Sequence, residues 1–285
     1  MSIALSASEL PYGATRASAM SESFSNAPEA WDLLLASQVS IFLDSELAFL
    51  NSLPQWQSAR NVADVGCGNG NYIAKLAEKF PGKRFTGIEP SPGLLARARI
   101  RHADSRVRFL GGAMETLHLD EPFDFVVLRF VVQHLTNPEA FFESVRRACH
   151  STTVVLIIEP NIEHSAAAPP LVRLSELVQN YEMFCRNKKS TRAAISDAGG
   201  LAAAWGSNWQ VLETRVITSA HCRSCWHGEH LSALLEGWIS ALSDALGREN
   251  CADAQAEAND WLREHGQSID VALKAWLLDP LVRIT

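Results

Sequence analysis

A short apolar run followed by three closely spaced glycines is the feature that most constrains the fold of this chain. Residues 61–72 read Asn-Val-Ala-Asp-Val-Gly-Cys-Gly-Asn-Gly-Asn-Tyr, so a run of strand type ends at Val65 and a helical pattern opens at Tyr72. Glycines permit positive φ and a close approach of the backbone to a ligand. The sequence therefore predicts a strand, a tight turn and a helix whose first N–H groups face whatever lies in the turn.

A carboxylate follows at the spacing of a nucleoside site. Glu89 ends the next apolar run, nineteen residues after Gly70, and an acidic side chain at the tip of that strand can accept hydrogen bonds from ribose hydroxyls. The dinucleotide fingerprint is Gly-x-Gly-x-x-Gly, whereas this loop is Gly66-x-Gly68-x-Gly70. We expect a nucleoside with a further group attached; a nicotinamide or flavin nucleotide and an empty turn are the alternatives.

With Asp64 ahead of it, this loop resembles motif I of the class I S-adenosylmethionine-dependent methyltransferases, in which the loop surrounds the aminoacyl part of the cofactor. The resemblance covers residues 61–160. Residues 112–117 are similar to the family segment that flanks the adenine, although Ala113 stands where an Asp is common, and residues 123–135 are similar to the fourth strand and its turn. The resemblance implies S-adenosylmethionine as cofactor, bound by Asp64, Gly66, Cys67, Gly68, Gly70, Glu89, Pro90, Ala113, Met114, Glu115, Arg129 and Phe130.

Different parts of the cofactor are assigned to different residues by the same resemblance. Asp64 and the glycines would face the methionine part, Glu89 the ribose, and Met114 with Glu115 the adenine edge. Arg129 would meet the cofactor carboxylate or orient the acceptor.

Composition and charge narrow the partners. The chain has 285 residues, 47% of them hydrophobic and 20% charged, and a formal net charge of −7, which suits one globular α/β domain with additions. The acidic balance argues against nucleic acid, and no apolar stretch approaches the ~20 residues that span a bilayer. No secretory signal is evident, and the irregular spacing of the six cysteines fits a reducing compartment. We expect a cytoplasmic protein with a small-molecule substrate and no membrane partner; a homodimer is considered.

Alternating strand and helix signals predict an α/β, Rossmann-like, doubly wound fold. Continuous apolar runs such as 125–128 and 154–158 suit a mostly parallel sheet buried on both faces, and the resemblance implies seven strands with a final antiparallel one. Strands are expected at 61–66, 84–89, 107–110, 123–129, 152–158 and 209–218. Helices are expected at 29–53, 71–80, 92–102, 138–149, 170–186, 228–247 and 251–265. The domains are expected to be an N-terminal arm and helix that form a lid (1–60), the cofactor-binding core (61–220), an inserted helical cap (221–278) and the last strand (279–285).

The chemistry needs few groups. Methyl transfer from a sulfonium is an in-line displacement, so the protein mainly aligns the reactants, and a general base is needed only where the acceptor loses a proton. The catalytic candidates are His134, Tyr181 and Glu159; a helix-start histidine packed near the cofactor is the alternative for His134. The predicted pocket and lid residues are Tyr12, Arg16, Asn161, Phe184, Trp205, Trp226 and His227. Core packing is the alternative for the aromatic ones.

Residues 221–230 contain enough ligands for zinc in Cys222, Cys225, His227 and His230. No second, distant ligand pair accompanies them. We therefore expect a linker between a strand and a helix, and no metal.

Two rival functions remain open at this point. In the first, the α-amino group of S-adenosylmethionine attacks its own γ-carbon, which gives azetidine-2-carboxylate and methylthioadenosine on the same fold. In the second, the protein binds the cofactor as a non-catalytic partner protein. A methyltransferase acting on a small metabolite is the preferred interpretation, although the sequence does not separate it from the first rival.

Overall fold

The structure is a computed structural model, and it describes residues 28–103, 106–117, 121–135, 137–161, 165–187, 208–219, 228–265 and 269–281. The strands are β1 (Asn61–Val65), β2 (Arg84–Glu89), β3 (Val107–Gly111), β4 (Phe123–Arg129), β5 (Cys149–Pro160), β6 (Ala166–Ala167), β7 (Gln210–Thr218), β8 (Ile269–Asp270) and β9 (Ala272–Asp279). The helices are α1 (Pro28–Ser52), α2 (Pro54–Ser58), α3 (Asn71–Lys79), α4 (Pro92–Arg101), α5 (Pro138–Arg147), α6 (Val172–Asn187), α7 (Gly228–Leu246) and α8 (Ala252–His265).

Seven strands form one sheet in the order β3-β2-β1-β4-β5-β9-β7. The pairs from β3 to β5 are parallel, while β9 runs antiparallel to both β5 and β7. The predicted Rossmann-like fold with an N-terminal helix is confirmed. The chain changes direction across the sheet between β1 and β4, which is where open α/β sheets form their ligand crevice.

Both faces of the sheet are buried. Along β4, Phe125 and Val127 belong to one hydrophobic cluster and Val126 and Leu128 to the other, because successive strand residues point to opposite faces. Helices α1, α3 and α4 contribute to the first cluster and α5 to the second. The ends of the strands are therefore the places left for a site.

The predicted last strand at 279–285 is wrong. The antiparallel strand β9 ends at Asp279, and residues 282–285 lie outside the described part of the chain. Between β5 and β7, β9 is buried on both faces, so its sequence is apolar except for Lys274 and the final Asp279. Such a short apolar stretch is not distinguished from a core helix by pattern alone. Helices α7 and α8 lie between β7 and β9 as expected, and the division into lid, core and cap stays a prediction.

The expectation that no apolar stretch is long enough to span a bilayer is wrong, because helix α1 has the length and composition of a membrane span over Trp31–Ser52, with mean hydropathy 1.5. Half of its most apolar stretch is buried inside the protein. Buried core helices of soluble proteins have the same length and composition, so this helix is weak evidence for a membrane.

Candidate functional site

A cavity of about 500 Å³ opens at the carboxyl ends of the central strands. Its wall includes the end residues of β1, β2 and β4, the turn after β3 and one side of α1. Parallel strands whose order reverses between β1 and β4 leave a crevice at this edge. The fold therefore brings the separated sequence signals together around one space.

The glycine loop forms one wall, and its backbone requires glycine. Gly66, Gly68 and Gly70 have φ of 79°, 58° and 78°, in the left-handed region that side chains disfavour. A Cβ on Gly66 would lie 2.6 Å from Val131 Cγ2. The N–H groups of Gly66 and Cys67 both donate to the carbonyl of Ile88, at 2.7 and 3.1 Å, which ties the loop to β2. The result is a fixed cradle that fits a ligand lying close to the backbone.

Glu89, at the end of β2, holds the same loop from its other side. Its Oε2 accepts from the N–H of Gly68 at 2.9 Å and its Oε1 from the N–H of Ser91 at 2.8 Å. Burial raises the pKa of Glu89, and the two N–H groups work against that rise. Each carboxylate oxygen has a second lone pair, so the group can accept ribose hydroxyls while keeping the loop in place.

Asp64, at the end of β1, is a buried carboxyl with 2% of its surface exposed. Burial raises its pKa to about 7; the charge of Arg129 lowers it, while Glu89 and Glu46 raise it further. An added cation next to such a group favours its ionised form. The site therefore fits the ammonium of an amino acid.

Arg129, at the end of β4, is fixed by contacts with helix α1. Its Nε donates to Glu46 Oε1 at 2.9 Å and its Nη2 donates to the carbonyl of Gln38 at 3.0 Å. The guanidinium lies over the rings of Tyr72 and Phe130, with its Cζ 4.6 and 4.4 Å from their centroids. Arginine has five N–H donors, so donors remain for a ligand carboxylate.

Residues 62–152 match the family described as "Methyltransferase domain". They form a class I S-adenosylmethionine-dependent methyltransferase domain. The cofactor of this class is S-adenosylmethionine, which the loop and the carboxyls Asp64 and Glu89 fit in shape and charge. The domain is that of an S-adenosylmethionine-dependent transferase.

Curated relatives match this methyltransferase domain over part of their length. The malonyl-[acyl-carrier protein] O-methyltransferase of Hahella chejuensis is 30% identical over 141 residues, which are 49% of this chain and 49% of that protein. The trans-aconitate 2-methyltransferase of Escherichia coli O7:K1 is 29% identical over 100 residues, 35% of this chain and 39% of that protein. The chain thus spans half or less of the length of these relatives.

Solved structures also resemble the chain. The phospholethanolamine N-methyltransferase 2 of Haemonchus contortus, in complex with phosphomonomethylethanolamine and S-adenosylhomocysteine, aligns with a TM-score of 0.46 at 16% identity. The alignment covers 76% of this chain and 48% of that one.

Within the methyltransferase domain, every predicted cofactor residue except Gly70 lines the cavity. Gly70 lies directly behind the loop as the N-cap of α3. His134 also lines the cavity, in the short turn that follows β4. Whether these residues bind the cofactor stays a prediction, but the fold brings them to one place.

Three other predicted residues lie outside the cavity wall that the described residues form. The buried Glu159 accepts from the N–H of Val132 at 2.7 Å, so the structure gives its carboxylate a role in holding the turn after β4. Asn161 donates its N–H to the carbonyl of Ala272 and joins β5 to β9. Tyr181 packs against the hydrophobic core. For these three, catalytic or pocket roles have no support from the geometry.

The remaining pocket and lid candidates lie outside the described residues or, in one case, on a helix without a described side chain. Phe184 is on α6, but its side chain is not described; outside the described residues lie Tyr12, Arg16, Trp205, Trp226 and His227. Among the described residues no group of three or more His, Cys, Asp or Glu could hold a metal. Of the linker predicted at 221–230, residues 221–227 lie outside the described residues as well, and residues 228–230 belong to the first turn of α7. The chemistry of the linker stays a prediction.

Helix α1 is the part of the wall that the sequence did not assign residue by residue. Trp31, Leu35, Gln38 and Val39 line the cavity, and Leu35 lies next to Gly68 of the glycine loop. Their helical spacing is also that of ordinary core residues. Two charged side chains of α1, Asp32 and Glu46, fix it to the cavity wall, and their partners are far away in the sequence.

Proposed function

We propose that this protein is an S-adenosylmethionine-dependent methyltransferase that acts on a small metabolite. The observation that carries the proposal is the glycine cradle flanked by two buried carboxyls, Asp64 and Glu89, in one crevice. A carboxyl poised to ionise beside an ammonium, next to one able to accept ribose hydroxyls, matches the two polar ends of this cofactor.

Bound S-adenosylmethionine would supply an activated methyl group on a sulfonium. Asp64 would hold the ammonium and Arg129 the carboxylate, so that the aminoacyl end has one orientation. Met114 is buried at the cavity wall and would pack on the adenine edge. The protein then contributes mainly alignment of the acceptor with the methyl group. His134 would take the proton of an acceptor that must lose one.

The size and lining of the cavity support a small acceptor. Apolar side chains of α1 and α5, among them Leu35 and Phe141, lie in one wall with the polar Gln38 and Asn137. Apolar pockets of several hundred Å³ with a few polar groups are typical small-molecule sites. The net charge of −7 also disfavours a polyanionic acceptor.

A reducing, cytoplasmic location is part of the proposal. Cys67, Cys149 and Cys251 are buried thiols without a disulfide. Burial raises the pKa of the Cys149 thiol to about 12, so it stays protonated and unreactive.

The test is to incubate the purified chain with S-adenosylmethionine, first alone and then with pools of small carboxylic acids, amines and phenols, and to identify the products. Adenosylhomocysteine that forms only with an added pool supports the proposal. Methylthioadenosine without any acceptor would instead identify the intramolecular cyclase. Cofactor binding without turnover would favour the partner protein. Gly82→Ala, at a position with open space around it, is the control that must keep wild-type turnover.

A further inference from the structure

Asp32 joins three elements through one carboxylate. On α1, its Oδ1 accepts from Asn69 Nδ2 of the glycine loop at 3.0 Å. Its Oδ2 pairs with Arg101 Nη2 of α4 at 3.1 Å and also with Arg97 Nη1. Only 14% of the Asp32 side chain is exposed, so solvent and salt screen these contacts less than they would screen a surface pair.

Charge strengthens this junction. Burial raises the pKa of Asp32, but the hydrogen bond from Asn69 and the charges of Arg101 and Arg97 outweigh it and bring the pKa below its usual value. The group is therefore an ionised acceptor at neutral pH. Hydrogen bonds to charged acceptors are about twice as strong as neutral ones.

Asn69 connects Asp32 to the glycine loop. It is buried, its Nδ2 donates to Asp32, and its Oδ1 accepts from the N–H of Asn71, the first residue of α3, at 3.2 Å. Without Asp32 the buried amide would lose its acceptor, and an unsatisfied buried donor is costly. Glu89 anchors the neighbouring Gly68, so the loop is held by a carboxylate on each side.

We propose that Asp32 is a positioning residue for the cofactor, which fixes the glycine loop through Asn69 and the α1 wall through its own helix. The inference rests on the proposed function. The wall formed by the described residues includes Trp31 and Asn69 but not Asp32. Asp32 therefore acts on cofactor affinity through the loop and leaves the chemical step unchanged.

The test combines Asp32→Asn with the exchange Asp32→Asn plus Asn69→Asp. The first change keeps the size of the side chain and removes the ionised acceptor. We expect the Kd for S-adenosylmethionine, measured by calorimetry, to rise on the order of tenfold, with kcat within about twofold of wild type. The exchange lets the new amide donate to the new carboxylate, which still accepts from the N–H of Asn71. It is expected to recover most of the lost affinity, which a merely structural role would not do.

Asp44→Asn is the matched control, because Asp44 is exposed on the same helix; its Kd is expected to equal that of wild type. A wild-type Kd in Asp32→Asn, or no recovery in the exchange, would overturn the inference. If Asp32→Asn does not fold, Arg101→Gln weakens the same carboxylate junction more mildly and must raise the Kd in the same direction.

Hydrogen exchange of the ligand-free protein separates this inference from the proposed function. Faster exchange of the amides at 67–71 in Asp32→Asn, with unchanged exchange in β5, supports the role of Asp32 even if wild type does not bind S-adenosylmethionine. Absent binding would then reject the proposed function alone. Unchanged exchange at 67–71 would reject the positioning role.

Discussion

The carboxyl of Asp64 titrates near neutral pH. Its carboxyl has a pKa of about 7 in the ligand-free protein because burial, Glu89 and Glu46 outweigh Arg129. Binding of an ammonium requires the ionised form, so a proton must leave when the pH is below 7. We expect the affinity for S-adenosylmethionine to be full above pH 7 and to fall about tenfold per pH unit below it. Calorimetry between about pH 5.5 and 8.5 measures this slope.

The control for this titration is a carboxylate at the other end of the sheet. Glu121 is exposed, and its Oε2 lies 3.8 Å from Arg84 Nη2. Glu121→Gln is therefore expected to keep the wild-type dependence of the Kd on pH. Asp64→Asn is expected to bind weakly at every pH, with no slope near 7. A wild-type affinity that is independent of pH would show that Asp64 is not the partner of the ammonium.

Gly66 is the position where the loop tolerates a side chain least. Gly66→Ala forces an L residue to φ 79°, at about 1–2 kcal/mol, and brings its Cβ within 2.6 Å of Val131 Cγ2, at about 1–3 kcal/mol. We expect the free energy of unfolding in urea to fall by about 2–5 kcal/mol. Gly82→Ala meets no heavy atom within 4 Å and should change it by at most about 0.5 kcal/mol. Equal losses in both variants would contradict the strain assigned to Gly66.

At the scale of elements, helices and strands whose patterns depend on neighbouring residues could be predicted from the sequence. The helix expected at 29–53 is Pro28–Ser52, and the strand expected at 84–89 is Arg84–Glu89, because apolar period and turn residues act locally. The glycine spacing likewise located the loop that lines the cavity, since the backbone conformation there depends on the glycines themselves.

Contacts between residues that are far apart in the sequence could not be predicted from it. A glutamate on a helix is expected at the surface, yet Glu46 is fully buried because Arg129, 83 residues away, meets it. Asp32 meets Asn69 and Arg101 in the same way. The sequence therefore assigned α1 to a lid but did not identify the side chains that fix it to the core.

At the scale of the whole molecule, those two anchors join α1 to two places in the cavity wall. Asp32 fixes its first turns to the glycine loop, and Glu46 fixes its second half to the end of β4. The apolar side chains Phe42 and Leu50 pack into the same cluster as Phe125 of the sheet. Helix α1 therefore belongs both to the cavity wall and to the hydrophobic core. A change in one partner of an anchor is expected to alter stability and cofactor binding together, so both partners must be replaced to separate the two effects.

Glu46→Gln tests how much the buried pair of Glu46 and Arg129 contributes to stability. It removes the carboxylate that is hydrogen-bonded to the buried Arg129 guanidinium, and breaking a buried pair on one side costs about 3–5 kcal/mol of unfolding free energy. The matched change Glu78→Gln removes a surface pair with Lys75, whose side chains are 55% and 49% exposed, and should cost less than about 0.5 kcal/mol. Urea unfolding measures both.

Replacing both partners, Glu46→Leu with Arg129→Met, removes the two charges together and keeps the volume. Double replacements of this kind are often neutral for stability, so the free energy of unfolding is expected to return to within about 1 kcal/mol of wild type. Cofactor binding is not expected to return with it, because Arg129 lines the cavity and its donors to a ligand carboxylate would be gone. A double variant that is stable and still binds S-adenosylmethionine with wild-type Kd would show that Arg129 serves only to fasten α1 to the sheet.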